Sequence, residues 1–269
     1  MNKLCYPRMA LKKQLGLVGF SMLMTGAIQF LIVWLVTTID YGPIVESMLK
    51  QLPVFFRQFF EEEMLGKFSA EGGAAFGFNH PIVLSLLSLN AIMIGARHIA
   101  GEVESGTLEL LLSYPVKRTR LLLSLWGTGA VQLLAVTGTA LISSVTAVKL
   151  YHQLNGDILI SLLKIAVNLW LLFLLVMSFT LVLSSFSKEA SKTGLASAAV
   201  LLVFYLVHFL SKIWEEIGFT KPVNIFTYYQ PQKLMFGERS FSLNLLVLVV
   251  LIAVCMIISV IQFNRRDIP

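Results

Sequence analysis

Residues 158–185 read ILISLLKIAVNLWLLFLLVMSFTLVLSS, with Lys164 as the one charged side chain in the run. A bilayer core of roughly 30 Å takes about 20 predominantly apolar residues to cross as a helix, so this stretch reads as a transmembrane span. Working outward, comparable runs stand at about 15–38, 80–99, 122–148, 194–211 and 242–263, and six crossings use most of the 269 residues. Composition agrees: 57% of the chain is hydrophobic, 13% is charged, and mean hydropathy is +0.79. Soluble domains carry roughly a quarter charged residues. This chain could not cover a water-facing surface, which excludes a soluble globular enzyme, and it is too apolar to be disordered. The net charge of +6 sits beside apolar runs, where anionic lipid rather than nucleic acid is the partner it suits. The expected fold class is all-α integral membrane, six transmembrane helices in one domain over residues 1–269.

The flanking charges orient the spans. Lys3, Arg8, Lys12 and Lys13 precede span one as they would in a signal peptide. The apolar stretch is longer than the 7–15 residues of such a peptide and no small-residue cleavage site follows, so a retained anchor is expected. Six spans leave both termini on one side. With the N-terminus inside, 12 of the 21 basic residues fall in the short inside segments, among them Arg97, Lys117, Arg118, Arg120, Lys188, Lys192, Arg265 and Arg266. The positive-inside rule then gives N-in, C-in. The outside loops are 39–79 and 212–241. The first nets −3, from Lys50, Arg57 and Lys67 against Asp40, Glu46, Glu61, Glu62, Glu63 and Glu71. Its Phe55, Phe56, Phe59 and Phe60 suit an interfacial amphipathic segment, and Gly72-Gly73 with Asn79-His80-Pro81 turn the chain into span two. In the second, Trp214, Phe219, Phe226, Tyr228 and Tyr229 suit an aromatic belt at headgroup depth, or a gate. Cys5 and Cys255 form no disulfide framework.

The inside loop between spans two and three, Arg97-His98-Ile99-Ala100-Gly101-Glu102-Val103-Glu104-Ser105-Gly106-Thr107-Leu108-Glu109-Leu110-Leu111-Leu112-Ser113-Tyr114-Pro115-Val116-Lys117-Arg118, carries the most information. Gly106 can take the left-handed conformation that ends a helix, so span two runs on to about Ser105. Thr107 is a natural N-cap for a new helix, Glu109 suits its positive end, and Pro115 stops it. Lys117, Arg118 and Arg120 then anchor span three. The resulting two-turn helix offers Leu108, Leu111 and Leu112 as one stripe. Lipid could bury that stripe, but the surrounding Glu102, Glu104 and Glu109 are poorly matched to anionic headgroups. A protein groove with basic side chains is the better match.

The run from Glu102 to Arg118 resembles the first cytoplasmic loop of ABC-2-type permeases, the membrane subunits of ATP-binding-cassette exporters. The basic amphipathic N-terminal segment, six spans and the Asn264-Arg265-Arg266-Asp267 tail fit the same plan. Within the family, the arrangement is most similar to permeases such as that of the nitrous-oxide reductase maturation exporter. The long acidic, Phe-rich first outside loop departs from many members. The resemblance implies a homodimer working with a cytoplasmic ATP-binding-cassette ATPase dimer, in a bacterial or archaeal cytoplasmic membrane. Lipid surrounds it, and the plan leaves room for an extracytoplasmic accessory protein. It also implies that the loop holds the coupling helix: Gly106 and Thr107 set a bend, Leu108, Leu111 and Leu112 fill the ATPase groove, Glu102, Glu104 and Glu109 pair with its surface, and Pro115 and Arg118 complete the motif. The chain has no G-x-x-x-x-G-K-[ST] phosphate loop, so ATP and Mg belong to the partner and no cofactor, catalytic residue or metal ligand is assigned here. Two rivals stay open, a membrane-embedded enzyme acting on lipid or peptide and an ATP-independent secondary transporter.

Other polar residues read as structural. His98 and Glu102, four apart on one helix face, read as an ordinary charge pair at the inner interface. Lys164 can snorkel, Asn90 and Asn168 suit interhelical hydrogen bonds, and the small residues Gly127, Gly129, Gly138, Gly194, Ala196 and Ser197 suit close helix packing or a dimer seam. The segment Ser187–Lys192 reads as a solvated turn with room for a lesser partner contact.

Overall fold

A computed structural model of the chain describes residues 5–39, 69–108 and 117–266, together with Ser47 and Gln51. The Phe-rich stretch and the Glu61-Glu62-Glu63 cluster lie outside the described residues. Among the described residues six helices are long and apolar enough to cross a membrane: Gln14–Thr38, Ala70–Glu104, Arg118–Tyr151, Gly156–Phe186, Ala190–Ile213 and Phe241–Arg265, spans one to six below. No strand occurs among the described residues. Span one is the greater part of a helix that begins at Cys5. Hydropathy marks where apolar surface starts, whereas backbone hydrogen bonding continues through the basic residues ahead of it. We call the end of the bundle that holds residues 105–108 and Lys117, the span four–five turn and the last residues of span six the basic end, from its Arg97, Lys117, Arg118, Lys188, Lys192, Arg265 and Arg266.

Two expectations about the opposite end are corrected. Residues 70–78 do not turn the chain; they form a helix, Ala70–Phe78, that heads span two. Ser69 caps it, its Oγ accepting the Gly72 N–H at 2.9 Å. The bend falls at Asn79–His80, where His80 Nδ1 accepts the Ile82 N–H at 3.3 Å and Pro81 opens the next helix. The glycines there permit close approach rather than a turn. A Cβ on Gly73 would lie 3.1 Å from the Val36 side chain of span one, and Gln29 Nε2 donates to the Ala74 carbonyl at 2.7 Å.

The second correction concerns 212–241. Part of this segment is a hook that re-enters the bundle, not an interfacial belt. Asn224 Nδ2 donates to the Phe204 carbonyl at 2.7 Å, Asn168 Nδ2 to the Tyr228 carbonyl at 2.9 Å, and Tyr229 OH to the Phe78 carbonyl at 2.9 Å. Asn168 lies twelve residues beyond Gly156, the first residue of its helix, or about 18 Å along it at 1.5 Å per residue. Irregular backbone at such depth is tolerated where protein surrounds it and satisfies its polar groups. Phe226 and Tyr229 are accordingly buried, while Trp214 and Phe219 stay exposed as interfacial rings would. Belt composition and hook composition look alike in sequence; burial separates them.

Span four is the axis of the packing, with Leu162, Ile165, Leu169, Leu172 and Phe173 fully buried. Spans two and three close on it where side chains are absent. A Cβ on Gly95 would meet Thr180 Cβ at 2.7 Å, and one on Gly129 would meet Met177 Sδ at 2.5 Å. Gly127 and Gly138 approach nothing within 4 Å, and Gly194 is in ordinary contact with Ile92. Trp126 Nε1 donates to Ser178 Oγ at 2.9 Å and Trp170 Nε1 to the Ala130 carbonyl at 3.0 Å, stitching spans three and four. Asn90 Nδ2 bonds Ser21 Oγ at 2.7 Å, the interhelical role expected of it, and Lys164 is exposed. Replacing Asn168 by Leu should strand the Tyr228 carbonyl and cost about 1 kcal/mol. A cysteine at Thr227 should then react faster with a membrane-impermeant maleimide; an unchanged rate would count against the anchor.

Candidate functional site

The candidate site is built at the basic end, and it begins with an irregularity in span two. The helix widens into a π turn over Arg97–Gly101. Ser184 of span four supplies the reason. Its Oγ accepts the Ala100 N–H at 2.8 Å and donates to the Ala96 carbonyl at 3.2 Å. Those two backbone groups would bond each other in a regular helix, where each N–H meets the carbonyl four residues earlier. The hydroxyl occupies the place of one rung, and a side chain inserted into the ladder locally widens or bends a helix. Ser184 has no exposed surface. No motif announces it: a serine in an apolar run looks like any small packing residue.

Below the π turn the chain closes a knuckle. The helix ends at Glu104, Ser105 caps it, and Gly106 has φ +67°, the left-handed conformation expected there. Ser105 Oγ donates to the Gly101 carbonyl at 2.9 Å. Thr107 does not precede the next helix as a cap. It is itself helical, and its hydroxyl reaches back to the Glu102 carboxylate and, at 3.3 Å, to the Glu102 carbonyl. Glu102 and Leu108, expected to face a partner, are instead turned inward at 8% and 2% exposure. Leu108 belongs to this chain's own core, and Glu102 braces the bend. His98 is likewise buried rather than interfacial. Glu104 is exposed, with Oε2 accepting the Ala190 N–H at 2.9 Å. Ala190 opens the helix of span five, so the carboxylate sits at the positive end of that helix. The 187–192 turn thereby receives span two as well as carrying its own Lys192–Glu189 pair at 2.7 Å. Glu109, Leu111, Leu112 and Pro115 lie outside the described residues.

Arg118 was expected to anchor span three or touch a partner. Its Nη1 donates instead to the carbonyls of Arg266 at 2.6 Å, Phe263 at 3.3 Å and Asn264 at 3.4 Å. These are terminal carbonyls of span six, which have no partner within their own helix and sit at its negative end. Asn264 Nδ2 adds a bond to Thr119 Oγ1 at 3.2 Å. Arg266 repeats the device one helix over, donating to the carbonyls of Ser185 at 3.1 Å and Ser184 at 3.3 Å in the last turn of span four. Partial burial draws its pKa down from the ordinary arginine value. In sequence Arg266 is one more basic residue after an apolar run, and nothing there marks its hold on span four. What the arrangement of described residues does is mechanical: it ties spans two to six together on both sides of residues 109–116.

Glu102→Ala should remove the carboxylate that Thr107 reaches and loosen the knuckle by about 1–2 kcal/mol, seen as roughly 5- to 30-fold faster amide exchange over 104–108. Unchanged exchange would remove Glu102 from its bracing role. Residues 18–268 match a family model described as ABC-2 family transporter protein. No curated protein matches the chain.

Proposed function

Because the chain belongs to the ABC-2 transporter family, whose members are membrane permeases of ATP-binding-cassette transporters, we propose that it is the permease subunit of an exporter driven by a separate ATPase. In this reading two copies of the chain stand over a pair of cytoplasmic ATP-binding-cassette subunits, which bind the ATP and Mg. The basic end faces the cytoplasm of a bacterial or archaeal cell, N-in and C-in, as the distribution of basic residues supports. Residues 105–116 carry the coupling helix. The observation that carries this reading is the Gly106 knuckle at the end of span two, joined to spans four and five and leading straight into the acidic, leucine-rich run.

The inward turn of Glu102 and Leu108 refines the docking surface. Glu109, Leu111 and Leu112 are the residues assigned to the ATPase, with Pro115 ending their helix. Glu102, Thr107 and Gly106 set the angle at which that helix is presented, and Glu104 steadies it against span five. Closure of the ATPase pair on ATP pushes the helix, and the push reaches spans two, four and five through the bonds already described. The likeness to the permease of the nitrous-oxide reductase maturation exporter belongs to this proposal too, as does an extracytoplasmic accessory protein over the outside loops. The rival readings, a membrane-embedded enzyme or an ATP-independent transporter, require the isolated protein to turn over or move a substrate without ATP.

Purification of the full chain from its native membrane should bring with it a polypeptide that hydrolyses ATP. Glu109→Lys combined with Leu112→Asp should abolish that association while leaving insertion intact; an ATPase that stays bound would refute the docking surface. Gly106→Val should keep the ATPase bound and hydrolysing but stop transport, because a β-branched residue is strained by about 1–3 kcal/mol at positive φ. Transport at the unmodified rate would refute the need for the bend.

A further inference from the structure

Both flanks of the 109–116 segment lead to one residue. On the first flank, the knuckle hangs from the π turn of span two, and that turn exists because the Ser184 hydroxyl stands between Ala96 and Ala100. On the second, the chain resumes at Lys117 and Arg118 grips the terminal carbonyls of span six. Arg266, at that same terminus, grips the Ser184 carbonyl. One residue of span four thus engages the first flank with its side chain and the second with its backbone.

We propose that Ser184 is a positioning residue of the transport cycle, the junction that sets how the two flanks of the coupling segment stand relative to each other. The role rests on the permease reading above, which makes 109–116 the segment that an ATPase moves. The wedge has a definite mechanical consequence. Were it withdrawn, Ala100 could bond Ala96 directly, and the residues that follow would rotate by about 100°, the turn per residue of an α-helix. At a helix surface about 5 Å from the axis, that swings a side chain by roughly 8 Å. The second flank would keep its hold on span six but would lose the common reference point if Arg266 were removed.

The test uses the full chain in nanodiscs, with Cys5 and Cys255 replaced by serine and spin labels on cysteines at the exposed Ser105 and Lys117. In Ser184→Ala the label distance should shift by up to roughly 8 Å, and Ser184→Thr, which keeps the hydroxyl, should restore the unmodified distance. Arg266→Ala should broaden the distribution without moving its mean. In complex with the captured ATPase, Ser184→Ala should continue to hydrolyse ATP while losing the ATP-driven change in that distance. An unchanged distance in Ser184→Ala, or an equal shift in Ser184→Thr, overturns the assignment. Failure of the unsubstituted chain to capture any ATPase overturns the permease reading instead, while the distances in the isolated permease still decide the part played by Ser184.

Discussion

The basic end is organised around a missing rung. A helix that crosses a membrane ordinarily satisfies its backbone within itself, because hydrocarbon offers no other partner. Span two departs from that rule at Ala96 and Ala100, and it does so without leaving either group bare, since one hydroxyl of span four accepts from the N–H and donates to the carbonyl. The exchange replaces a bond inside one helix by two bonds between helices. It therefore converts local regularity into contact between spans at nearly even energetic terms. The neighbouring features follow from it: the π turn, the direction in which Glu102 and Glu104 project, and the position of the left-handed Gly106.

The rest of that end obeys a single electrostatic pattern. Helix termini expose partial charges that bilayer depth and partial burial leave poorly hydrated. Here three of them are met by a side chain of opposite sign from another span. The Glu104 carboxylate meets the start of span five, Arg118 meets the end of span six, and Arg266 meets the end of span four. These are charge-assisted contacts to backbone, stronger than neutral ones, and they fix the spacing of helix ends without needing a large apolar interface there. Span five fits that description: much of its length is exposed, yet its first residue is held.

Much of this was legible in the residues, and the part that was not has a common physical cause. Span number and approximate span positions follow from hydropathy because a 30 Å apolar slab admits few alternatives. The end of span two at Ser105–Gly106 was readable because a left-handed residue is nearly a glycine signature. Three misreadings share a source. In sequence Gly72-Gly73 reads as a turn, Tyr228-Tyr229 as a belt, and Leu108 with Glu102 as an outward face. In each, a residue type that suits one local role was taken into another by a contact distant in sequence: Val36 for Gly73, Asn168 for Tyr228, the chain's own core for Leu108. Composition records what a residue is able to do, and long-range packing selects among those abilities. The pairing of Arg118 with span six and of Arg266 with span four lies beyond reach for the same reason, each spanning more than eighty positions.

The hook between spans five and six bears on how this bundle could ever open on its far side. Two asparagine amides, Asn168 of span four and Asn224 of the hook itself, fasten the hook to the bundle, one donating from the span to the Tyr228 carbonyl and the other from the hook to the Phe204 carbonyl of span five. The Tyr228 carbonyl, at the end of a single short turn, does not tolerate hydrocarbon once its amide partner leaves. Withdrawal of the hook is thus conditional on wetting: a column of water must descend to about 18 Å below the start of span four as the amides let go. Hydration would be a precondition of the open state rather than its by-product, and a cargo too greasy to share a wet passage would have to leave sideways, between helices.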